Sequence, residues 1–383
     1  MRCLDLFSGI GGIVLGLEDY VTEVIYYCEC NPAAINVLEK NMRFRKLPPA
    51  PICTDVRDLT RQWFGRKRKK VDLITAGFPC VGFSLVGNNR GFENEESALF
   101  FEIMRIVDVC KPTAVFMENV PNILKSGFRV VAHEFTIKRT YDLHWCLLAA
   151  KDVGAPHCRN RWYCLAVRRG QYRSVLNITP SKSGVVQKSP WKLHRAPARM
   201  TPASLDCRLI VRHVMLGNAV VPFAVRRAFE YLINAATNAV YENHVSNRIT
   251  TKLPAISISN GSIIRSKRSI LSVIISREDE KTASEDESTQ DMKLLLIPDA
   301  YGSDKPSKAQ EKNIVREPIP LARWATPVSK SYFVANRLTK RTADNLHVQL
   351  RFERSTPEHT RGYQVSARFV EWMMGFPIDW TLA

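Results

Sequence analysis

Short apolar runs alternate with stretches of helical periodicity between Arg2 and Ala166, and this alternation limits the fold more than any other feature. Five runs are short enough to be single strands, at residues 3–7, 24–28, 71–76, 114–118 and 162–167. Strands separated by helices are typical of a mainly parallel sheet that is covered by helices on both faces. The sequence therefore predicts an α/β domain.

The charge of the chain indicates what kind of partner it attracts. Its 55 Lys and Arg against 37 Asp and Glu give a net charge of +18. Such a surplus attracts polyanions, so nucleic acid is the expected partner. The alternative is a basic protein whose charge serves solubility alone.

The cysteines and the hydropathy exclude several classes of protein. The ten cysteines are scattered, and Cys28 and Cys30 lack the spacing of a structural zinc site, so we expect reduced thiols and no metal. No apolar run approaches the roughly twenty residues that cross a bilayer, and no signal peptide is recognisable. We expect an intracellular protein without a membrane segment.

The composition divides the chain into three parts. Residues 1–236 hold the α/β pattern and end in a predicted amphipathic helix at 225–235. Residues 237–317 are rich in Ser, Thr, Lys and Glu and are predicted to be a linker or insertion, although the apolar runs 270–275 and 294–297 are alternatively strands of a small domain. Apolar runs return in residues 318–383.

A glycine-rich turn follows the first predicted strand. Phe7 to Gly12 opens a helix, and Gly9 and Gly11 allow a ligand to approach the backbone closely, which suits a nucleotide-like cofactor. Glu29 ends the next apolar run, where a carboxylate usually holds a ribose hydroxyl. The alternatives are a structural tight turn and a surface carboxylate.

Cys80 lies just after another predicted strand, on a loop that Pro79 shapes and that Gly77 and Gly82 bound. An exposed and rigidly held thiol is what a nucleophile needs, although most cysteines are small core residues. Glu118 ends the run 114–118. Because parallel strands deliver their ends to one edge, we expect this acid and the thiol to converge.

These motifs resemble those of the DNA cytosine-C5 methyltransferase family. Three of them occur in order, at residues 7–12, 77–80 and 118–120. Further matches are Asp55, residues 99–100, 157–161, 217–222 and 369–380. The resemblance implies a Rossmann-like S-adenosylmethionine-dependent methyltransferase fold with a smaller target-recognition domain.

The resemblance also implies a catalytic role for each matching residue. Cys80 is then the nucleophile that adds to C6 of cytosine, and Glu118 meets N3 and the exocyclic amine. Asn119 would orient the Cys80 loop. Arg161 would hold the base at O2, and Arg159 would support the site.

For the cofactor, the resemblance implies S-adenosylmethionine, with Glu29 on the ribose and Asp55 on the adenine amine. The other residues expected around it are Phe7, Gly9, Gly11, Leu99, Asn218 and Val220. The implied partner is duplex DNA, from which the target base must be flipped. We expect a monomer.

The order of the motifs departs from that of most family members. The block at 217–222 precedes the block at 369–380, whereas the usual order is the reverse. The target-recognition region is therefore predicted at residues 318–363, an arrangement that resembles viral and phage members. His157 also replaces the usual glutamine before the paired arginines.

Two alternative functions remain open. One lineage of the same family methylates tRNA with the same thiol and acid, but it carries a Cys-Phe-Thr segment that is absent here. The other alternative is an inactive DNA-binding relative. The presence of Cys80, Glu118, Arg159 and Arg161 argues against it.

Overall fold

The computed structural model describes residues 1–63, 70–79, 98–171, 174, 189–202, 208–246, 271–273 and 363–383. The strands in these residues are β1 (Arg2–Leu6), β2 (Glu23–Cys28), β3 (Ile52–Cys53), β4 (Leu73–Ala76), β5 (Ala114–Asn119), β6 (Tyr141–Ala149), β7 (Asn160–Arg168), β8 (Met200–Pro202), β9 (Leu271–Val273) and β10 (Tyr363–Val365). Eight of them form the main sheet, in the order β3-β2-β1-β4-β5-β7-β6-β9. The remaining two, β8 and β10, pair with each other.

The helices lie between these strands in the alternation that the sequence predicted. They are α1 (Gly12–Gly16), α2 (Pro32–Arg43), α3 (Phe100–Cys110), α4 (Ile123–Ser126), α5 (Phe128–Ala132), α6 (Pro190–Leu193), α7 (Leu209–Asn218), α8 (Pro222–Ser246) and α9 (Ala367–Met373). Asn31 caps α2 by accepting hydrogen bonds from the backbone of Ala33 and Ala34, and Pro32 occupies the first helical position.

The sheet is parallel from β3 to β5, and this confirms the predicted Rossmann-like fold class. Strand β7 contains the predicted run 162–167, and it is antiparallel to both β5 and β6. Strand β6 was not predicted. The run 270–275 contributes β9, which pairs with β6 in the main sheet, so its assignment to a small separate domain was wrong. The run 294–297 lies outside the described residues.

Helices cover both faces of the sheet. In β1, Leu4 and Leu6 pack in the same cluster as Phe100 of α3, whereas Cys3 packs in the cluster of Phe229 from α8. This separation follows from the alternation of side chains along a strand. The sheet therefore carries one apolar layer on each side.

Helix α8 extends the predicted helix 225–235 at both ends and continues past the expected boundary at residue 236. Together with α7 it forms the one described stretch, Leu209–Thr237, that is long and apolar enough to cross a membrane. Of its most apolar window, 72% is buried inside the fold. These helices are part of the core.

The last described residues are built into the α/β domain. The Trp380 indole N–H donates to the carbonyl of Ile10 at 2.8 Å. Glu371 of α9 is fully buried and accepts hydrogen bonds from Arg212 of α7 at 3.1 Å and from the backbone of Thr381 at 2.8 Å. A buried charge is tolerated only when it is paired and hydrogen-bonded in this way. The C-terminal block is thus fastened to the glycine turn and to α7, the helix that leads into the block 217–222.

Candidate active site

The site forms at the edge of the sheet where β1, β4 and β5 end. These strands are parallel neighbours, so the segments that follow Leu6, Ala76 and Asn119 emerge side by side. Strand β7 runs in the opposite direction, and therefore its first residues lie at the same edge, with Asn119 of β5 paired to Trp162. This antiparallel strand is what brings Arg161 to the site.

Glu118 is a buried carboxyl group between Arg161 and the segment after β4. Its Oε1 lies 2.9 Å from Nε of Arg161. Its Oε2 faces Gly77, and a Cβ added to that glycine would lie 3.6 Å from it. Burial raises the pKa of Glu118, while the charges of Arg161 and Arg159 oppose that rise. A carboxyl group with a raised pKa retains its proton longer and is suited to proton donation.

Asn119 holds the segment that leads to the predicted nucleophile. It is 2% exposed, its amide donates to the carbonyl of Phe78 at 3.3 Å, and its carbonyl accepts from the backbone of Val120 at 2.8 Å. Pro79 follows and is partly exposed. Cys80 itself lies outside the described residues. Asn119 therefore holds this segment at Phe78, two residues before Cys80, and its effect on Cys80 itself stays a prediction.

The two arginines occupy different environments. Arg161 pairs with Glu118 and also donates to the carbonyl of Asn160 at 2.8 Å, whereas Arg159 is 4% exposed. The structure places Arg161 on the predicted acid, and its contact with the base stays a prediction. His157, which the sequence showed only as a departure from the family pattern, is fully buried beside Arg159.

The glycine turn leaves open space at one position. Phe7, Gly9 and Gly11 have φ values of +55°, +53° and +81°. A Cβ at Gly9 would meet nothing within 4 Å, but at Gly11 it would lie 2.6 Å from Leu47. The carboxylate of Glu29 accepts from the backbone N–H of Gly9 at 2.7 Å. An open backbone beside an acid fits a nucleotide-like ligand.

Of the remaining predicted cofactor residues, Val220 is the one with a close approach to this turn among the described contacts. Asp55 follows β3, which pairs with β2 ahead of Glu29, and it forms a 2.7 Å ion pair with Arg57. Leu99 precedes α3 and is partly buried. Asn218 ends α7 and is exposed. Val220 packs on the start of α1, since a Cβ at Gly12 would lie 2.7 Å from it.

Sequence reasoning missed a buried carboxyl group beneath the turn. Asp5 is fully buried in β1, accepts from the hydroxyl of Thr75 at 2.5 Å, and has no partner for Oδ2 among the described residues. Burial raises its pKa to about 7, and hydrogen bonds from Thr75 and Ser8 oppose the rise. The available signal was an acidic residue within an apolar strand.

Together, the parallel sheet, the open glycine turn and the buried acid at the strand ends are typical of an α/β enzyme with a Rossmann-like fold. The model of the family described as C-5 cytosine-specific DNA methylase matches residues 1–383. This chain belongs to that family, and its activity is the methylation of cytosine at C5 in DNA.

Relatives of the chain agree with this assignment. The type II methyltransferase M.CviJI of Paramecium bursaria Chlorella virus IL3A is 29% identical over 384 residues, which cover 98% of this chain and 96% of that protein. The type II methyltransferase M.HhaI of Haemophilus parahaemolyticus is 37% identical, but the match covers 46% of this chain and 51% of that protein. The predicted likeness to viral members is therefore confirmed.

A solved structure is similar over a smaller part. The S. pombe Dnmt2 methyltransferase is 25% identical over 50% of this chain and 58% of its own, with a TM-score of 0.36.

Proposed function

We propose that the enzyme takes its methyl group from S-adenosylmethionine and transfers it to a cytosine flipped out of duplex DNA, with Cys80 as the nucleophile. The observation that carries the proposal is the position of Glu118. This acid is buried at the strand edge, 2.9 Å from Arg161 and beside the Gly77–Pro79 segment that Asn119 holds. It faces the segment that leads to Cys80.

The chemistry requires both a thiol and an acid, because C5 of an aromatic cytosine is a poor nucleophile. The Cys80 thiolate forms a bond to C6 while Glu118 delivers a proton to N3, and the C5=C6 electron pair becomes available at C5. After C5 has gained the methyl group, a base takes up the C5 proton, the double bond is restored and the S–C6 bond breaks, while N3 returns its proton to the Glu118 carboxylate. The thiolate and the aromatic ring are both regenerated.

Arg161 limits the rise in the pKa of Glu118 in this scheme. An unpaired carboxylate at this depth would be strongly disfavoured, and the guanidinium lowers that cost without removing the proton-retaining effect of burial. With the base bound, Arg161 also lies within reach of its O2, the role that the family resemblance implies. Arg159 supports the same segment from a buried position.

The residues around the glycine turn fit the cofactor. The open face of Gly9 admits the methionine portion, and Glu29 is placed to bind the ribose hydroxyls. Asp55 comes just after β3, the neighbour of β2, and binds the adenine amine. When bound, S-adenosylmethionine supplies an electrophilic methyl group. Phe7, Gly11, Leu99, Asn218 and Val220 complete the proposed pocket.

Duplex DNA also fits the charge of the chain. Flipping a base costs a few kcal/mol, and cationic contacts with phosphates offset this cost. A net charge of +18 supplies such contacts. We expect an intracellular monomer whose recognition region lies within residues 318–363, of which only Tyr363 is among the described residues.

The test is transfer of labelled methyl from S-adenosylmethionine to unmethylated duplex DNA and, separately, to unmodified tRNA. We expect transfer to DNA by the wild type and loss of transfer in Cys80→Ala. Cys158→Ala is the matched control, because Cys158 is exposed and precedes Arg159. Transfer to tRNA alone would replace the DNA proposal, and full activity of Cys80→Ala would refute the proposed nucleophile.

A further inference from the structure

His157 connects two parts of the chain that are far apart in sequence. Its Nε2 lies 3.1 Å from the carbonyl oxygen of Met373, and its Nδ1 accepts from the backbone N–H of Arg159 at 3.3 Å. Met373 is the last residue of α9, in the displaced C-terminal block. The imidazole is fully buried between them.

These partners determine the protonation of the ring. A carbonyl oxygen only accepts and a backbone N–H only donates, so Nε2 must carry the proton and Nδ1 must be bare. Burial lowers the pKa of His157 to about 3, and the charge of Arg159 acts in the same direction. The ring is therefore neutral at physiological pH, with both nitrogens used.

The backbone of Arg159 is held on both sides. Its N–H is donated to His157, and its carbonyl accepts from the N–H of Ala150 at 2.7 Å. Two residues later, Arg161 lies in β7 and contacts Glu118. Residues 157–161 thus form a short segment between the hydrogen bonds of His157 and the ion pair of Arg161 with Glu118.

We propose that His157 is a positioning residue. It fixes the Arg159–Arg161 segment against α9 and thereby aligns the displaced C-terminal block with the base pocket. This inference rests on the proposed function of Glu118 and Arg161. His157 touches neither the base nor the cofactor in this account, and it acts through the two arginines.

Glutamine offers a conservative replacement. Its amide nitrogen donates to the Met373 carbonyl while its amide oxygen accepts from Arg159, so both hydrogen bonds are retained. Leucine fills a comparable volume but makes neither bond, and it leaves the Arg159 N–H and part of the Met373 carbonyl without their partner. His157→Gln and His157→Leu therefore separate hydrogen bonding from packing.

The test compares single-turnover methyl transfer to unmethylated DNA with the dissociation constant for S-adenosylmethionine. We expect His157→Gln to stay within about 3-fold of the wild-type rate. We expect His157→Leu to lose roughly 10- to 100-fold in rate, because a shifted Arg159–Arg161 segment misplaces the reacting groups, with cofactor affinity unchanged. His144→Leu is the matched control, since His144 is equally buried but lies within β6.

The outcomes distinguish positioning from simple stability. Equal rate losses in the His144 and His157 leucine variants, or a parallel loss of cofactor binding, would overturn the proposal. A wild-type rate in His157→Leu would also overturn it. If the wild type itself transferred no methyl group to DNA, the proposed function would fail instead.

The tautomer of His157 can also be measured in the wild-type protein, with the conservative His157→Gln variant used only to assign the signal. Nitrogen-15 NMR of the eight histidines reports the tautomer of each ring, and the signal that disappears in His157→Gln identifies His157. We expect a neutral ring with the proton on Nε2 at pH 7. A proton on Nδ1, or a charged ring, would overturn the assignment.

Discussion

Glu118 illustrates how the surroundings of a single carboxyl group determine its chemistry. Burial raises its pKa, and the nearby guanidinium groups keep that rise limited. The same group on the surface would be ionised and could give no proton at neutral pH. Its position in β5, at the end of a fully buried strand, supplies the burial.

Replacing Glu118 should remove acid catalysis and leave cofactor binding unaffected. For Glu118→Gln we expect methyl transfer to fall by about 10²- to 10⁴-fold, while the dissociation constant for S-adenosylmethionine stays unchanged. Glu134→Gln is the control, because Glu134 is also buried but pairs with Lys138 and Arg139 elsewhere. Similar rate losses in both variants would contradict the assigned role.

Asp5 should make stability depend on pH. The pKa of Asp5 in the folded protein, about 7, lies above its ordinary value of 3.8. Protonated Asp5 therefore contributes fully to the free energy of unfolding below about pH 4, and this contribution is lost as the pH rises to about 7. Over that interval the free energy of unfolding should fall by up to about 1.4 kcal/mol per pH unit.

Asp5→Asn should remove this dependence, because asparagine resembles the protonated acid. Denaturant unfolding at pH 5 and pH 8 measures the effect, and the advantage of the variant over the wild type should be larger at pH 8. An advantage that is the same at both values, or larger at pH 5, would show that Asp5 is ionised in the folded protein.

At the scale of secondary structure, the direction of a strand decides which residues meet. The sequence predicted the apolar run 162–167 correctly, but an apolar run carries no information about direction. Strand β6 escaped prediction because Asp142 and His144 interrupt its apolar pattern, although both are buried. The antiparallel pairing of β7 with β5 explains how Arg161 reaches the end of β5.

The C-terminal block should support cofactor binding through Trp380. Its indole N–H donates to the carbonyl of Ile10 inside the glycine turn. Trp380→Phe keeps an aromatic ring but removes the donor, so we expect about 5-fold weaker S-adenosylmethionine binding, equivalent to about 1 kcal/mol. Calorimetric titration measures the change.

Trp372→Phe is the matched control for this experiment. The Trp372 indole donates to the carbonyl of His194 at 3.0 Å, away from the glycine turn. Its replacement should leave cofactor affinity within about 2-fold of wild type. Equal weakening in both variants would mean that the loss reflects general destabilisation.

For the whole molecule, the displaced motif order still produces one core. Val220 and Phe376 belong to the two exchanged blocks, yet both pack against Gly12 at the start of α1. A fold requires contacts in space and places little restriction on the order in which the chain supplies them. The match of M.CviJI along almost the whole chain agrees with this arrangement.

The sequence revealed those parts of the site that lie immediately after strands. The glycine turn, Glu118 and Asn119 could be predicted because each follows or ends an apolar run. The links from His157 to Met373 and from Trp380 to Ile10 could not, since they join distant segments through backbone carbonyls. Cys80 and most of the recognition region lie outside the described residues, and their roles stay predictions.

DNA binding by the whole molecule should depend strongly on salt. With roughly six to ten phosphate contacts, affinity for duplex DNA should fall by about 10³- to 10⁵-fold between about 50 and 200 mM salt. Affinity for S-adenosylmethionine should change little over the same range and serves as the internal control. A salt-independent DNA affinity would contradict a cationic binding surface built from the +18 charge.

The most direct test of the account is covalent capture of the DNA. In duplex DNA that contains 5-fluorocytosine, the C5 proton is absent, so the bond between the thiol and C6 cannot be released after methyl transfer. With S-adenosylmethionine present, we expect a denaturation-resistant protein–DNA adduct with the wild type and with Cys158→Ala, and none with Cys80→Ala. An adduct that persists in Cys80→Ala, or active methyl transfer by the wild type without any adduct, would contradict nucleophilic catalysis by Cys80.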